Sequence, residues 1–164
     1  RNKTVNLSES VYGSTSIAAI GVAAHECGHA MQDAGGYVPL RVRGALVPVA
    51  NFGAQISWPL ILIGILFSSG SSSMLTTLGI LMFSLSVLFQ LVTLPVEFNA
   101  SSRAVNLLDR TGILAGQEVG QTRQVLSAAA LTYVAALLMS LLQLLRFVLI
   151  FIGRGGGRDR GGSR

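Results

Sequence analysis

The chain has 164 residues, of which 51% are hydrophobic and only 12% are charged, and its formal net charge is +5. Soluble domains carry about 25% charged residues, so this composition excludes an ordinary soluble globule, a disordered chain and a nucleic-acid-binding domain. We expect the lipid bilayer to be the solvent, with the excess of Lys and Arg in loops that orient a membrane protein.

The first predicted elements are a short strand and a helix. Residues 3–7 (KTVNL) alternate polar and apolar side chains, a pattern typical of a strand. Ser14 and Thr15 are candidate caps for a helix that continues to Asp33. We therefore interpret residues 1–43 as an N-terminal strand and helix, and we expect further residues upstream in the intact protein.

A long uncharged run follows, over residues 44–96. About 20 apolar residues cross a bilayer, and the small polar residues 68–73 divide the run into two stretches of that length. The sequence therefore predicts a transmembrane hairpin with helices over residues 47–67 and 74–94. Charged residues flank the hairpin but are absent from its turn, which places both ends on the cytoplasmic side by the positive-inside rule.

Three segments are expected after the hairpin. Pro95 is predicted to restart a helix, and residues 97–130 form a cytoplasmic helical segment. Residues 131–152 are a third apolar helix, and the Gly- and Arg-rich residues 153–164 form a disordered tail. The predicted fold class is all-α, a polytopic membrane protein.

The only two histidines of the chain lie in the run His25-Glu26-Cys27-Gly28-His29 on the first long helix. A spacing of i and i+4 stacks two imidazoles on one helical face, as two protein ligands of an open zinc site require. Glu26 lies about 100° round the helix from His25, where its carboxylate can act as a general base without coordinating the metal. Cys27 is predicted to face away from the metal as a small packing residue.

A third metal ligand is needed, and the candidates are Asp33, Glu97, Asp109 and Glu118. Asp33 lies eight residues from His25, a rise of about 12 Å, which is too far for one shared ion. Asp109 and Glu118 have arginines nearby and are more simply explained as solvated helix pairs. Glu97 directly follows the hairpin, where a carboxylate in apolar surroundings needs a partner, so it is the preferred third ligand.

The sequence resembles the bacterial membrane-bound neutral zinc metallopeptidases called the YugP-like family. The resemblance is carried by LSESVYGSTSIAAIGVAAHECGHAMQ at residues 7–32, LPVEFNASSRA at residues 94–104 and AAALTYVAA at residues 128–136. It implies Zn²⁺ on His25 and His29, Glu26 as the catalytic glutamate and Glu97 as the remaining ligand. The fold is then a membrane protein with a zincin-type helix and a transmembrane hairpin inserted between the metal-ligand helices.

The predicted function is a membrane-bound zinc-dependent endopeptidase that hydrolyses peptide bonds by zinc-activated water, with Glu26 as general base. Tyr37 and Arg103 are candidates for oxyanion stabilisation, although each is also explained as an interface aromatic or a surface cation. The expected partners are a protein or peptide substrate and the lipid bilayer, with no nucleic acid. The expected location is the cell membrane, multi-pass, with the active site on the cytoplasmic side.

Two alternatives stay open at this point. A site-2-type intramembrane protease would need an aspartate ligand within a later span, and the predicted spans contain no aspartate. A membrane metal transporter or metal-binding protein would use His25, Glu26 and His29 for transit or storage, and partner ligands would be expected in the later spans.

Overall fold

The computed structural model describes residues 4–67 and 72–155, and within these ranges the chain is helical without strands. The helices in chain order are α1 (Glu9–Tyr12), α2 (Ile17–Ala34), α3 (Val38–Leu66), α4 (Ser72–Thr111) and α5 (Gln117–Gly155). The predicted all-α class is confirmed. The predicted turn and tail fall largely on residues 68–71 and 156–164, which lie outside the described residues.

The predicted strand at residues 3–7 is wrong for its described part. Residues 4–8 have no regular secondary structure before α1 begins. Alternating side chains do not make a strand unless a neighbouring strand bonds its N–H and C=O groups. The described chain supplies no such neighbour, so the alternation has no structural consequence.

Helix α2 begins slightly later than predicted. The Ser16 side chain accepts a hydrogen bond from the Ala19 backbone N–H at 3.2 Å, so Ser16 is the N-cap in place of Ser14 or Thr15. After the helix, Gly36 has a φ of +66°, a backbone conformation in which a side chain would be strained. This glycine lets the chain leave α2 and begin α3 at once.

Two helices occupy the region of the predicted hairpin, but both extend beyond it. Helix α3 begins at Val38 and therefore includes Arg43, which the sequence placed before the hairpin. Helix α4 continues through Pro95 to Thr111, so the predicted break at Pro95 is wrong. A proline costs a helix one N–H bond and crowds a carbonyl, but membrane helices tolerate that loss when neighbouring groups compensate for it.

By contact density the chain divides into two compact units. The first comprises residues 1–44 and 92–135, and the second residues 45–91 and 136–164. The core of the first unit joins α2, α4 and α5 through buried apolar side chains: Ala24, Ala104, Val105, Leu108, Leu114 and Leu126. Each fully buried leucine stabilises such a core by about 1.5–3 kcal/mol, and this core holds the histidine-bearing helix in place.

In the second unit, helices pack through small residues and aromatic contacts. A Cβ atom added at Gly53 would lie 2.7 Å from the Met82 carbonyl oxygen. The Trp58 and Phe147 rings meet edge to face with centroids 5.1 Å apart. Close approach at small residues is typical of membrane helices.

Within the described residues, three helices are long and apolar enough to cross a membrane: Val38–Leu66, Met74–Thr111 and Gln117–Gly153.

Candidate metal centre

The site is built where α2 and α4 approach closely within the first unit. Gly28 lies on α2 beside His29, and a Cβ atom added there would be 2.4 Å from the Ala100 carbonyl oxygen of α4. Glu97 precedes Ala100 by about one helical turn. The missing side chain at Gly28 therefore lets the two helix backbones meet and brings Glu97 opposite the histidines.

His25, His29 and Glu97 form one group of potential metal ligands. His25 Nε2 lies 3.1 Å from Glu97 Oε2, and His29 Nε2 lies 3.7 Å from Glu97 Oε1. One ligand atom from each of the three residues can be chosen so that all lie within 4.8 Å of one another. Zinc bonds of 2.0–2.2 Å in tetrahedral geometry place two ligand atoms about 3.4 Å apart, so the three side chains fit a zinc ion with small adjustments.

The other ring nitrogen of each histidine has a partner of its own. His29 Nδ1 is 2.9 Å from Gln32 Oε1, and His25 Nδ1 is 3.2 Å from the Ser101 hydroxyl. Both Nδ1 atoms are thus engaged away from the centre of the group, and both Nε2 atoms face Glu97. Histidine ligands commonly use their second nitrogen in this way to fix the orientation of the ring.

Arg43 balances the charge of the buried carboxylate. Glu97 is only 3% exposed, and a carboxylate removed from water needs a charged or hydrogen-bonding partner. The Arg43 guanidinium supplies one, with Nη1 3.1 Å from Glu97 Oε1. The Glu97 carboxylate also affects His29, because hydrogen bonding to it raises the pKa of His29 above its ordinary value.

The three side chains line an open cleft of about 480 Å³. Glu26 lines the same cleft and is exposed, although it is not part of the ligand group. Tyr133 of α5 and Arg43 of α3 line it as well. A carboxylate, a phenol and a guanidinium therefore line the same cleft as the two histidines.

The remaining carboxylate candidates lie elsewhere. Asp33, Asp109 and Glu118 are exposed and do not belong to the ligand group. Cys27 is half-buried and does not line the cleft. Of the four candidates for the third ligand, the structure brings Glu97 alone to the histidines.

The two residues considered for oxyanion stabilisation are also displaced from the cleft. Neither Tyr37 nor Arg103 lines it, and Arg103 instead donates a hydrogen bond from Nε to Asn99 Oδ1 at 2.8 Å. In the described structure, Arg43 and Tyr133 are among the residues that line the cleft.

Four residues of the site were missed in the sequence: Gln32, Arg43, Ser101 and Tyr133. Gln32 follows His29 by three residues, a spacing that places both on one helical face, so a signal existed for it. Arg43 was interpreted only as a charge that orients the hairpin. Ser101 and Tyr133 lie in segments that carry the family resemblance, but no pattern there indicated a role at the site, because their position depends on how α4 and α5 pack.

Known proteins are similar to this chain in sequence. Residues 1–152 match the model of a protein family described as "Putative neutral zinc metallopeptidase". The chain is 50% identical over 157 residues to "Putative membrane protease YugP" of Bacillus subtilis strain 168, covering 96% of this chain and 67% of that protein. No solved structure matches the chain significantly.

Proposed function

Because the chain belongs to this family of neutral zinc metallopeptidases, we propose that it is a membrane-bound endopeptidase that hydrolyses peptide bonds with zinc. One observation supports the proposal above all others. Two imidazole Nε2 atoms and a buried carboxylate converge beside an open cleft that also holds an exposed glutamate. Structural sites close the metal with four protein ligands, whereas catalytic sites keep one position open.

The donor set suits zinc. Two histidine nitrogens and one carboxylate oxygen form a common catalytic zinc set, and His25, His29 and Glu97 provide it. When bound, zinc polarises the scissile carbonyl and lowers the pKa of water at the open position. Arg43 keeps one oxygen of Glu97 engaged, so the carboxylate is held in a defined orientation.

Glu26 is the proposed general base. It lines the cleft next to His25 but stays outside the ligand group, so its carboxylate is available to accept a proton. In the reaction, the water oxygen bonds to the carbonyl carbon and one water proton passes to Glu26. Glu26 then delivers that proton to the amide nitrogen as the C–N bond breaks, and the carboxylate is regenerated. Proton transfer of this kind contributes about 10²–10⁴ to the rate.

Arg43 and Tyr133 are the proposed donors for negative charge that develops on the carbonyl oxygen, in place of Tyr37 and Arg103. Both line the cleft in the described structure. A positioned donor at such an oxygen is worth about 10²–10³ in rate. The substrate would be a protein or peptide long enough to extend along the cleft.

We propose that the chain is a multi-pass protein of the cell membrane with this site on the cytoplasmic side. Apolar helices of spanning length and the membrane protease relative support the membrane assignment. The sidedness rests on the arginines that flank the uncharged run. Nucleic acid is not among the proposed partners.

The test separates metal binding from hydrolysis. Protein purified in detergent should contain about one zinc per chain, and Glu26→Gln should retain that zinc while losing peptide hydrolysis by about 100-fold or more. Asp33→Asn is the matched control, since it neutralises an exposed carboxylate on the same helix outside the cleft.

Loss of zinc from Glu26→Gln would contradict the assignment of Glu26 as a base and not a ligand. Stoichiometric zinc in a wild-type protein that hydrolyses no peptide in a diverse library would instead favour the metal transporter or storage alternative. The site-2-type alternative is disfavoured because the ligand group contains no aspartate.

A further inference from the structure

Gln32 is a fully buried amide that joins the histidine helix to α4. Its exposed fraction is 0%, and it lies three residues after His29. Gln32 Oε1 is 2.9 Å from His29 Nδ1, while Gln32 Nε2 donates to the Val96 carbonyl at 2.8 Å and to Asn99 Oδ1 at 3.0 Å. The side chain thus contacts the proposed ligand His29 and two residues on either side of Glu97 in α4, Val96 and Asn99.

The donors and acceptors around Gln32 permit only one arrangement. Arg103 Nε, which lies 2.8 Å from Asn99 Oδ1, can only donate, so the oxygen of the Asn99 amide must face it. That oxygen and the Val96 carbonyl are both acceptors, so the Gln32 nitrogen must face the two of them. The Gln32 oxygen is then left for His29.

The tautomer of the His29 ring follows from this arrangement of donors and acceptors. An amide oxygen can only accept, so His29 Nδ1 must carry the proton and donate it. A neutral imidazole protonated at Nδ1 has its lone pair on Nε2, the atom that faces Glu97. His25 is different, because its Nδ1 meets the Ser101 hydroxyl, which can donate or accept and so imposes neither tautomer.

We propose that Gln32 is a positioning residue that fixes the tautomer and ring orientation of His29, with Arg103 and Asn99 fixing the orientation of Gln32 in turn. The proposal rests on the proposed function, because it assigns Gln32 a role toward a zinc ligand. Removing an outer partner of a metal-binding histidine commonly weakens metal affinity by about 10–100-fold. Gln32→Met, which keeps most of the volume and the helix propensity, should weaken zinc binding by that factor.

The tautomer itself can be measured without metal. The chain has two histidines, so ¹⁵N-histidine labelling gives few ring signals, and His25→Asn leaves those of His29 alone. At a pH where the ring is neutral, two-bond ¹⁵N–¹H correlations should show His29 protonated at Nδ1. In Gln32→Met the population should shift toward protonation at Nε2. Gln32→Glu keeps an acceptor for His29, so it should preserve the Nδ1 proton, while it loses the donor to the Val96 carbonyl and to Asn99 Oδ1.

Gln90→Met is the matched control. Gln90 also makes a hydrogen bond between helices, from Nε2 to the Ser140 hydroxyl at 2.8 Å, but it belongs to the second unit. Its replacement should leave the His29 spectrum and the zinc affinity, measured by chelator competition, unchanged. If Gln32→Met does not fold, Arg103→Met takes its place, since it frees Asn99 to turn and should shift both readouts in the same direction.

Two results would overturn the proposal: His29 protonated at Nε2 in the wild type, or an unchanged tautomer and zinc affinity in the folded variant. Failure of the proposed function would look different. In that case the wild type would bind no zinc or hydrolyse nothing, while the Nδ1 proton of His29 still depended on Gln32.

Discussion

Replacing Gly28 by alanine should damage the metal site through the helix backbones and not through any ligand. The new Cβ would lie 2.4 Å from the Ala100 carbonyl oxygen, 3.0 Å from its carbon and 3.2 Å from Cα. Real Cβ contacts essentially never fall below 3.0 Å, so α2 and α4 must separate by at least 0.6 Å. The obstacle is backbone, which cannot rotate away as a side chain could.

That separation is large compared with what a zinc site tolerates. Ligand distances in metal sites stay within about 0.2 Å of their usual values, and Glu97 lies on α4 while both histidines lie on α2. Overpacking also costs about 1–3 kcal/mol of stability, more than the gain of up to about 1 kcal/mol from glycine to alanine in a helix. Gly28→Ala should therefore lower the zinc affinity at least about tenfold and lower the unfolding temperature.

The assay is chelator competition on the purified protein, with thermal unfolding of the metal-free form measured in parallel. Gly120→Ala is the control, because Gly120 is an exposed position of α5 with nothing within 4 Å of the added Cβ. It should leave zinc affinity unchanged and stability equal or slightly higher. If Gly28→Ala binds zinc as tightly as the wild type does, the close approach of α2 and α4 does not set the distances between the histidines and Glu97.

Two further predictions concern the ligand set and the membrane. Glu97→Ala should lose zinc, whereas alanine at each of three exposed carboxylates should not: Asp33, Asp109 and Glu118. Zinc retained in Glu97→Ala would show that Glu97 is not a ligand. In a Cys27→Ala background, Phe67→Cys, one residue after α3, should react with an impermeant thiol reagent on intact cells. Ser102→Cys should react only after permeabilisation. The reverse labelling pattern would invert the proposed orientation.

The parts of the fold that the sequence predicted depend on local patterns. The apolar stretches predicted the three long helices correctly, because a segment of bilayer length and high hydropathy has few stable structures other than a helix. The spacing of His25 and His29 placed both on one face because helical geometry fixes it. Glu97 could be selected because a carboxylate beside an uncharged run needs a partner. These inferences need no knowledge of how helices pack.

The parts that failed depend on tertiary contacts. Pro95 ends many helices, but whether α4 ends there is decided by its neighbours and not by the proline alone. The alternation at residues 3–7 lacks a partner strand within the described chain. Gln32 shares a helical face with His29. Its bonds to Val96 and Asn99, and the place of Tyr133 in the cleft, arise only because α2, α4 and α5 pack together, which no local pattern encodes.

The charge of Glu97 explains why so many of these contacts surround one side chain. A carboxylate that is 3% exposed loses most of its hydration, and the loss is costly unless charged and hydrogen-bonding partners replace the water. Arg43 engages Oε1 and His25 faces Oε2, so each oxygen has a partner on a different helix. Gln32 fixes the helix segment just before and after the carboxylate through Val96 and Asn99. These contacts, which position the proposed ligands, lie within the first unit, and they bring two imidazoles and one carboxylate together as a candidate cation site.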